Sequence, residues 1–202
     1  MKTTGVILSG GKSTRMKYNK AFAKIDGKPI IEIIMAKFSN YFDETIIISN
    51  QPDLYKQLGV PIYTDIYPSK GPMSGIHSAL VNATNDTIFT SACDMPFIDM
   101  DLVSYLINKK NNHDIVVPEI NGYYQALSAL YTKNCITVLE NCLINEKLKL
   151  IKIYEQLNTL VVKEKNLLKH SKNNLEDVFL NINDEISLTR ANKLAGRLLS
   201  SQ

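Results

Sequence analysis

The residues best suited to phosphate chemistry lie near the N-terminus, in the run Leu8-Ser9-Gly10-Gly11-Lys12-Ser13-Thr14-Arg15. Two adjacent glycines let the backbone turn sharply and approach a ligand. Consecutive backbone N–H groups in such a turn form a concavity that binds anions. Arg15 offers a planar fork for two phosphate oxygens, and Lys20 adds a point charge. A plain strand-to-loop turn with solvated basic side chains is the alternative. The run matches neither the Rossmann fingerprint nor the Walker loop.

Two aspartates follow apolar runs further along the chain. Asp94 comes after an uncharged segment, residues 87–93. A carboxylate there can ligate Mg²⁺, which bridges phosphate oxygens; because Pro96 follows, a cap for the next turn is the alternative. Asp65 is suited to accept hydrogen bonds from the N–H edge of guanine or from ribose hydroxyls. The run Gly71-Pro72-Met73-Ser74-Gly75 then begins a helix, whose N-terminus is either a second anion site or a rigid turn.

The elements that must position these residues alternate between strand and helix. Strands are predicted at residues 4–8, 45–49, 61–64, 87–91, 114–118, 124–131, 160–163 and 178–181, and helices at residues 29–38, 52–58, 74–83, 99–110, 133–145, 150–157 and from 184 onward. Residues 12–28 are predicted to form a long basic loop. Such alternation predicts an α/β fold, a three-layer sandwich with a mostly parallel open sheet and helices on both faces.

This architecture predicts where a ligand binds. In open α/β sheets, ligands lie beyond the carboxyl ends of the strands. The glycine run after the first strand, Asp65 after the third and Asp94 after the fourth are therefore expected on one rim of the sheet.

Composition limits the class of protein. The chain has 202 residues, of which 45% are hydrophobic and 21% charged, which suits one globular domain with a sizeable core. A net charge of +3 is too small to predict nucleic-acid binding. No apolar run approaches the ~20 residues of a membrane helix, and the N-terminus does not resemble a secretory signal. Three cysteines without metal-binding spacing suit a reducing compartment. We therefore expect a cytoplasmic protein that binds neither membranes nor nucleic acid.

Together, the motifs resemble those of one family. The run from Leu8 to Met16 with the following Lys20 resembles the signature of sugar-phosphate and cofactor nucleotidyltransferases. Similarity to molybdenum cofactor guanylyltransferases in particular lies in Lys28-Pro29-Ile30, Asp65, Gly71-Pro72-Met73-Ser74-Gly75, Cys93-Asp94-Met95-Pro96 and Asn181-Ile182-Asn183. These motifs span nearly the whole chain in the same order as in that family.

The resemblance implies a single domain, residues 1–202, of the nucleotide-diphospho-sugar-transferase type. Residues of about 1–100 would bind the nucleotide and those of about 101–202 the acceptor. The implied reaction transfers GMP from GTP to molybdenum-bearing molybdopterin, with Mg²⁺ as cofactor, and releases pyrophosphate; proteins that deliver and accept the cofactor are implied partners. The implied nucleotide-binding residues are Leu8, Ser9, Gly10, Lys20, Asp65 and Asp94; the catalytic residues are Arg15, Lys20 and Asp94, and the metal ligand is Asp94. The acceptor wall would comprise residues 71–75, 123–125 and 181–183.

Two other functions stay open. One is a different Mg²⁺-dependent nucleotidyltransferase, which uses CTP or acts on a sugar phosphate, because base choice depends on backbone contacts that a sequence does not display. The other is a non-enzymatic nucleotide-binding protein of the same fold. The presence of both Lys20 and Asp94 favours an enzyme, since an adaptor has no need of a metal-binding carboxylate. Fold alone does not decide between them.

Overall fold

The computed structural model describes residues 2–10 and 19–198. Its centre is an eight-stranded sheet. The strands of this sheet are β1 (Thr4–Leu8), β4 (Glu44–Ile48), β5 (Ile62–Tyr63), β6 (Thr87–Ala92), β7 (Ile115–Ile120), β8 (Tyr123–Tyr124), β9 (Leu130–Thr132) and β10 (Thr159–Lys163). A separate hairpin pairs β2 (Lys24–Ile25) with β3 (Lys28–Pro29).

Helices cover both faces of the sheet. The α-helices are α1 (Ile30–Tyr41), α2 (Pro72–Asn82), α3 (Met100–Lys109), α4 (Ile136–Ile144), α5 (Ile151–Tyr154), α6 (Glu164–Leu167), α7 (Leu175–Val178) and α8 (Glu185–Leu198). Single turns of 3₁₀ helix lie at Lys20–Phe22, Pro52–Leu54, Lys56–Leu58 and Lys133–Cys135. Within the described ranges, no helix is long and apolar enough to cross a membrane.

The direction of the strands determines where their carboxyl ends lie. The order is β10-β7-β9-β6-β1-β4-β5, with β8 paired to the edge of β7. The pairs β1–β4, β1–β6 and β4–β5 are parallel, and β9 is antiparallel to both β6 and β7. Since β6 and β7 both pair antiparallel with β9, they run in the same direction, and β10 is parallel to β7. Six strands therefore end on one rim, and the predicted fold class is confirmed.

Alternate residues of the strands build two separate cores. Ile7 of β1 packs with Ile47, Phe89 and the apolar side chains of α1, α3 and α8. Val6, on the opposite face, packs with Ile46 and the side chains of α2 and α4. Every residue of β1 is buried, as expected for a central strand that is covered on both faces.

A glycine in β1 allows α1 to pack closely on the sheet. The rings of Phe38 of α1 and of Phe42, which caps the end of this helix, lie over Gly5, with their centroids 5.0 Å apart and in edge-to-face contact. A Cβ atom at Gly5 would lie 2.4 Å from Cδ2 of Phe42 and 2.8 Å from Cδ2 of Phe38. The two rings thus occupy the space that a side chain at this position would need.

Four predicted elements differ from the structure, and one of them is the helix at residues 52–58, where two 3₁₀ turns lie instead. The predicted strand at residues 124–131 is wrong, because a turn separates β8 from β9. The predicted strand at residues 178–181 is also wrong: Val178 ends α7, whose first turn is capped by the Asn174 side chain accepting from Glu176 N at 2.8 Å. The predicted loop at residues 12–28 contains, in its described part, a 3₁₀ turn and the β2–β3 hairpin.

Replacing Gly5 with alanine is expected to destabilise the protein by about 1–3 kcal/mol, because the added methyl overpacks the Phe38–Phe42 contact. Gly196 in α8 is the matched control, since no described atom outside its own helix lies within 4 Å of a Cβ built there. Gly196→Ala should leave stability unchanged or raise it by about 0.5–1 kcal/mol, through helix propensity. Urea titration of both variants measures the difference; equal midpoints would contradict this account of the packing.

Candidate active site at the carboxyl rim of the sheet

A cleft of about 1030 Å³ opens at the carboxyl ends of β1, β4 and β6. Its lining comes from three strand ends, the beginning of α2 and the segment before α8. Backbone hydrogen bonds continue the sheet one residue past its strands: Ser9 N donates to Ile48 O at 2.8 Å, and Cys93 N donates to Leu8 O at 3.1 Å. The residues that follow β1, β4 and β6 are therefore held at one level around the cleft.

Asp94 lies on the cleft wall, two residues beyond the end of β6. Its side chain is 17% exposed, and Oδ2 lies 3.9 Å from the ammonium nitrogen of Lys20. Burial raises the pKa of the Asp94 carboxyl, and the nearby Lys20 ammonium acts to lower it. Burial therefore disfavours the ionised carboxylate, and the ammonium of Lys20 at 3.9 Å offsets only part of this penalty. A second cation beside Asp94 would be stabilised for the same reason.

Lys20 joins the N-terminal half of the site to its C-terminal segment. Its ammonium donates to Oδ1 of Asn183 in addition to its contact with Asp94. On the same segment, Ile182 N donates to the backbone oxygen of Asp94 at 2.9 Å, and the Ile182 side chain is fully buried. Residues 181–183 are therefore fixed to the strand end that carries Asp94.

Lys37 supports the loop after Asp94, and the sequence analysis did not find it. From α1, its ammonium donates to the carbonyl oxygens of Pro96 and Ile98 at 3.0 and 2.9 Å. Burial lowers the pKa of Lys37 to about 8, although the charge of Asp99 acts to raise it. The available signal was a lysine four residues after Ile33, on the apolar face of a predicted helix.

Asp65 is held by a second residue that the sequence analysis missed, Asn50. The Asn50 amide donates from Nδ2 to Oδ2 of Asp65 at 2.8 Å, and Asp65 N donates to Oδ1 of Asn50 at 3.0 Å. Burial raises the pKa of Asp65, and the bond from Asn50 acts to lower it. Asn50 lies just after β4, so the rule that ligands bind beyond strand ends could have found it.

The beginning of α2 closes one side of the cleft. Gly71, Pro72 and Gly75 line it, and a Cβ atom at Gly75 would lie 3.2 Å from Cδ2 of Leu8 and 3.8 Å from Oδ1 of Asp65. Gly71 has a φ of 69°, in the left-handed region that favours glycine. The helix can therefore approach the ends of β1 and β5 without filling the space beside Asp65.

Of the three segments predicted to form the acceptor wall, two lie at the cleft and one does not. Residues at 71–75 and at 181–183 line the cleft, whereas residues 123–125 are not among its described lining residues. Tyr123 is instead 75% exposed on the β8 edge, and Gln125 N closes a turn onto Pro118 O at 2.8 Å. Leu127, two residues further on, is the residue from this region that reaches the cleft.

Of the predicted nucleotide-binding residues, those brought together in the cleft lining are Leu8, Ser9, Gly10, Asp65 and Asp94. Lys20 joins them through its contact with Asp94. Arg15 lies outside the described residues. A hard cation could use the oxygen atoms of Asp94 and take its remaining ligands from a bound substrate and water.

Comparison with known proteins agrees with this geometry. Residues 5–160 match the family described as the MobA-like NTP transferase domain. A protein of Clostridium perfringens (strain 13 / Type A) named "Probable molybdenum cofactor guanylyltransferase" is 47% identical over 165 residues, which are 81% of this chain and 83% of that protein. A protein of Pelotomaculum thermopropionicum with the same name is 33% identical over 195 residues, covering 96% of this chain and 94% of its own.

A solved structure has the same fold over nearly the full length. Molybdopterin-guanine dinucleotide biosynthesis protein A from Archaeoglobus fulgidus superposes with a TM-score of 0.84, covering 96% of this chain and 100% of that one, at 24% identity. The family match covers more than three quarters of this chain, and both relatives exceed 30% identity over at least four fifths of it. The chain therefore belongs to the MobA-like NTP transferase family and is a nucleotidyltransferase.

Proposed function

We propose that this enzyme transfers GMP from GTP to molybdenum-bearing molybdopterin, forming the guanine dinucleotide cofactor and releasing pyrophosphate. The observation that carries the proposal is the arrangement of three polar groups around one cleft: the Ser9-Gly10 segment after β1, the Lys20–Asp94 pair and the Asn50–Asp65 pair. The first two suit a triphosphate, and the third suits a guanine base. The names of the two relatives support the same reaction.

Guanine is the base that Asp65 suits best. Its Watson–Crick edge carries two adjacent donors, N1–H and the exocyclic N2–H₂, whereas adenine and cytosine each present a single donor next to an acceptor. A carboxylate accepts hydrogen bonds and, when ionised, donates none. Asn50 already donates to Oδ2 of Asp65, which orients the carboxylate while Oδ1 faces the side of Gly75. In this proposal Asp65 therefore accepts from the guanosine part of GTP.

Mg²⁺ is the cofactor in this proposal, with Asp94 as its protein ligand. Among residues 2–10 and 19–198, no group of three or more histidine, cysteine, aspartate or glutamate side chains could hold a metal ion. A single carboxylate nevertheless fits Mg²⁺, which is commonly held by one or two carboxylates together with substrate phosphates and water. When bound, the ion would neutralise phosphate charge and orient the reacting groups.

The chain's own residues contribute binding, orientation and charge. The acceptor phosphate is already an anion, so the reaction needs no strong base, and its difficulty is to bring two polyanions together. The N–H group of Gly10 and the ammonium of Lys20 would take up charge on the triphosphate. Arg15 would add a two-pronged phosphate contact. The bond from Ile182 N holds the backbone of Asp94 in place during these steps.

The acceptor is assigned to the second half of the chain. In this division residues of about 1–100 bind GTP, and those of about 101–202 bind molybdopterin through the side of the cleft formed by Leu127, Asn181 and Asn183. Proteins that deliver and accept the cofactor are part of the proposal, as is a cytoplasmic location. The three cysteines carry free thiols, which suits a reducing compartment.

The direct test of the proposal is transfer from each triphosphate. With Mg²⁺ and molybdenum-loaded molybdopterin, labelled GTP should yield dinucleotide and pyrophosphate, and ATP and CTP should yield far less. Replacing Asp65 with asparagine should reduce the preference for GTP by about 10- to 100-fold, since a lost hydrogen bond to a charged acceptor contributes about 1.5–3 kcal/mol. Preferential use of CTP would assign the enzyme to a different acceptor class, and binding of GTP without any turnover would favour a non-enzymatic role.

Asp94→Asn should lower kcat by about 10²- to 10³-fold and leave the fold intact, because several kcal/mol of transition-state stabilisation depend on the metal-binding charge. The loss should be greatest at limiting Mg²⁺. Asp101→Asn is the matched control, since that carboxylate is exposed at the beginning of α3 and pairs with Lys172. Steady-state turnover over a range of Mg²⁺ concentrations gives the comparison; an Asp94→Asn enzyme as active as the control would refute the assignment.

Lys20→Ala should weaken GTP, ATP and CTP by a similar factor of about ten or more, because a charge-assisted phosphate contact does not distinguish bases. Activity should be lost as the pH falls through the pKa of Asp94, which must be ionised. Since Lys20 acts to lower that pKa, the acidic limb of kcat/KM should move to higher pH in the variant. Lys24→Ala, an exposed lysine on β2, is the control. A loss confined to GTP, or an unmoved acidic limb, would contradict this role.

A further inference from the structure

A buried tyrosine bonds to the residue that follows β1. Tyr55 lies between the two 3₁₀ turns that follow β4, and no part of it is exposed. Its ring stacks on Phe22, with the centroids 5.4 Å apart and an interplanar angle of 28°. Its hydroxyl is hydrogen-bonded to Oγ of Ser9 and accepts from Nδ2 of Asn19 at 3.0 Å. The phenol oxygen thus joins two residues that are ten positions apart in the chain.

These two partners of the hydroxyl belong to the site, and Ser49, a third residue that bonds to it, also lines the cleft. Ser9 and Asn19 line the cleft, and they flank the basic segment of residues 10–18. Asn19 also caps the 3₁₀ turn that begins with Lys20, because its Oδ1 accepts from Ala21 N at 3.1 Å. The Asn19 amide therefore uses its oxygen to orient the Lys20 turn and its nitrogen to fasten that turn to Tyr55.

The bonding capacity of a phenol matches these two contacts. A tyrosine hydroxyl carries one hydrogen to donate and lone pairs to accept. Burial raises the pKa of Tyr55, although the bond with Ser9 acts to lower it, so the hydroxyl is protonated at neutral pH and keeps its hydrogen. Removing the oxygen would leave the Ser9 hydroxyl and the Asn19 amide without this buried partner, and both side chains would gain rotamer freedom.

We propose that Tyr55 is a positioning residue for the triphosphate: its hydroxyl holds Ser9 and Asn19, and through them the Gly10 turn and Lys20, in the arrangement that binds phosphate groups. A site fixed before the ligand arrives binds more tightly, because less conformational entropy is lost on binding. The inference rests on the proposed function only in taking the cleft as a triphosphate site. It does not depend on which base or which acceptor the enzyme uses.

Tyr55→Phe separates this role from structural support. The variant keeps the buried ring and the stacking on Phe22 and loses only the hydroxyl. GTP, ATP and CTP should each bind about fivefold to tenfold more weakly, as expected for two lost hydrogen bonds that act through preorganisation. Guanosine, which has no phosphates, should bind as before. In turnover, KM for GTP should rise by the same factor while kcat at saturation changes less than twofold.

Tyr131→Phe is the matched control. Tyr131 is also fully buried, and its hydroxyl donates to Ala126 O at 2.8 Å, in the other core and away from the Ser9 turn. Both variants should lose some stability to urea, and only Tyr55→Phe should lose triphosphate affinity. An unchanged GTP affinity in folded Tyr55→Phe, or an equal weakening of guanosine, would overturn the proposal.

A comparison in a double-variant background tests whether Tyr55 affects triphosphate affinity through Ser9 and Asn19. A Ser9→Ala, Asn19→Thr background removes the contacts of the hydroxyl with Ser9 and Asn19 and leaves its contact with Ser49, while threonine keeps a capping oxygen for Ala21 N. Adding Tyr55→Phe to this background should change GTP affinity less than twofold; an undiminished loss would show that Tyr55 acts elsewhere. If Tyr55→Phe does not fold, Asn19→Thr alone is the test variant, and it should weaken the binding of all three triphosphates. A wild-type protein that binds triphosphates but does not prefer GTP would refute the proposed function. The inference about Tyr55 would then be decided by the triphosphate affinities of the variants.

Discussion

Parallel pairing of β1 with β4 and β6 is the constraint on which the site depends. In register, Leu8 lies opposite both Ile48 and Ala92, so three chain segments leave the sheet at the same level. The bonds from Ser9 N and Cys93 N then continue that alignment for one more residue. The Ser9–Gly10 segment, Asp94 and the Asn50–Asp65 pair lie far apart in the chain, and this alignment places them around one cleft. The close approach of α1 at Gly5 and of α2 at Gly75 allows helices to cover both faces without displacing the rim.

The second organising interaction is electrostatic and involves the end of the chain. Asp94 is largely withdrawn from water, and its described cationic neighbour, Lys20, is shared with Asn183. The family match ends at residue 160, yet Ile182 bonds to the backbone of Asp94 from beyond that limit. Arg190 and Arg197 of α8 both pair with the buried Asp177, which fastens the helix following this segment. The last part of the chain is thus a structural component of the nucleotide-binding rim.

Periodicity and the strand-end rule were sufficient to predict the architecture, the rim and the positions of Asp65 and Asp94, because both depend on local pattern and on a general property of parallel sheets. They failed where contacts between distant parts of the chain determine the local structure or the role of a residue. The apolar residues 178–181 resemble a strand, but the cap from Asn174 and the burial of Ile182 give a helix turn and an irregular segment instead. Lys37 and Tyr55 were missed because each acts on residues distant in the chain. Their contacts involve backbone carbonyls or hydroxyls, which no spacing rule connects.

The contact between Lys20 and Asn183 has a consequence for turnover. In the ligand-free protein the cation already has two internal partners, so an arriving triphosphate exchanges one set of bonds for another and gains only the difference. A ligand with fewer charges, such as free phosphate, gains less from this exchange and competes poorly. In the proposed reaction, the departure of pyrophosphate would let the ammonium return to an amide and a carboxylate that have stayed in place, which would lower the barrier to product release. In that proposal, the bond that tempers affinity for the triphosphate would also help to empty the site for the next cycle.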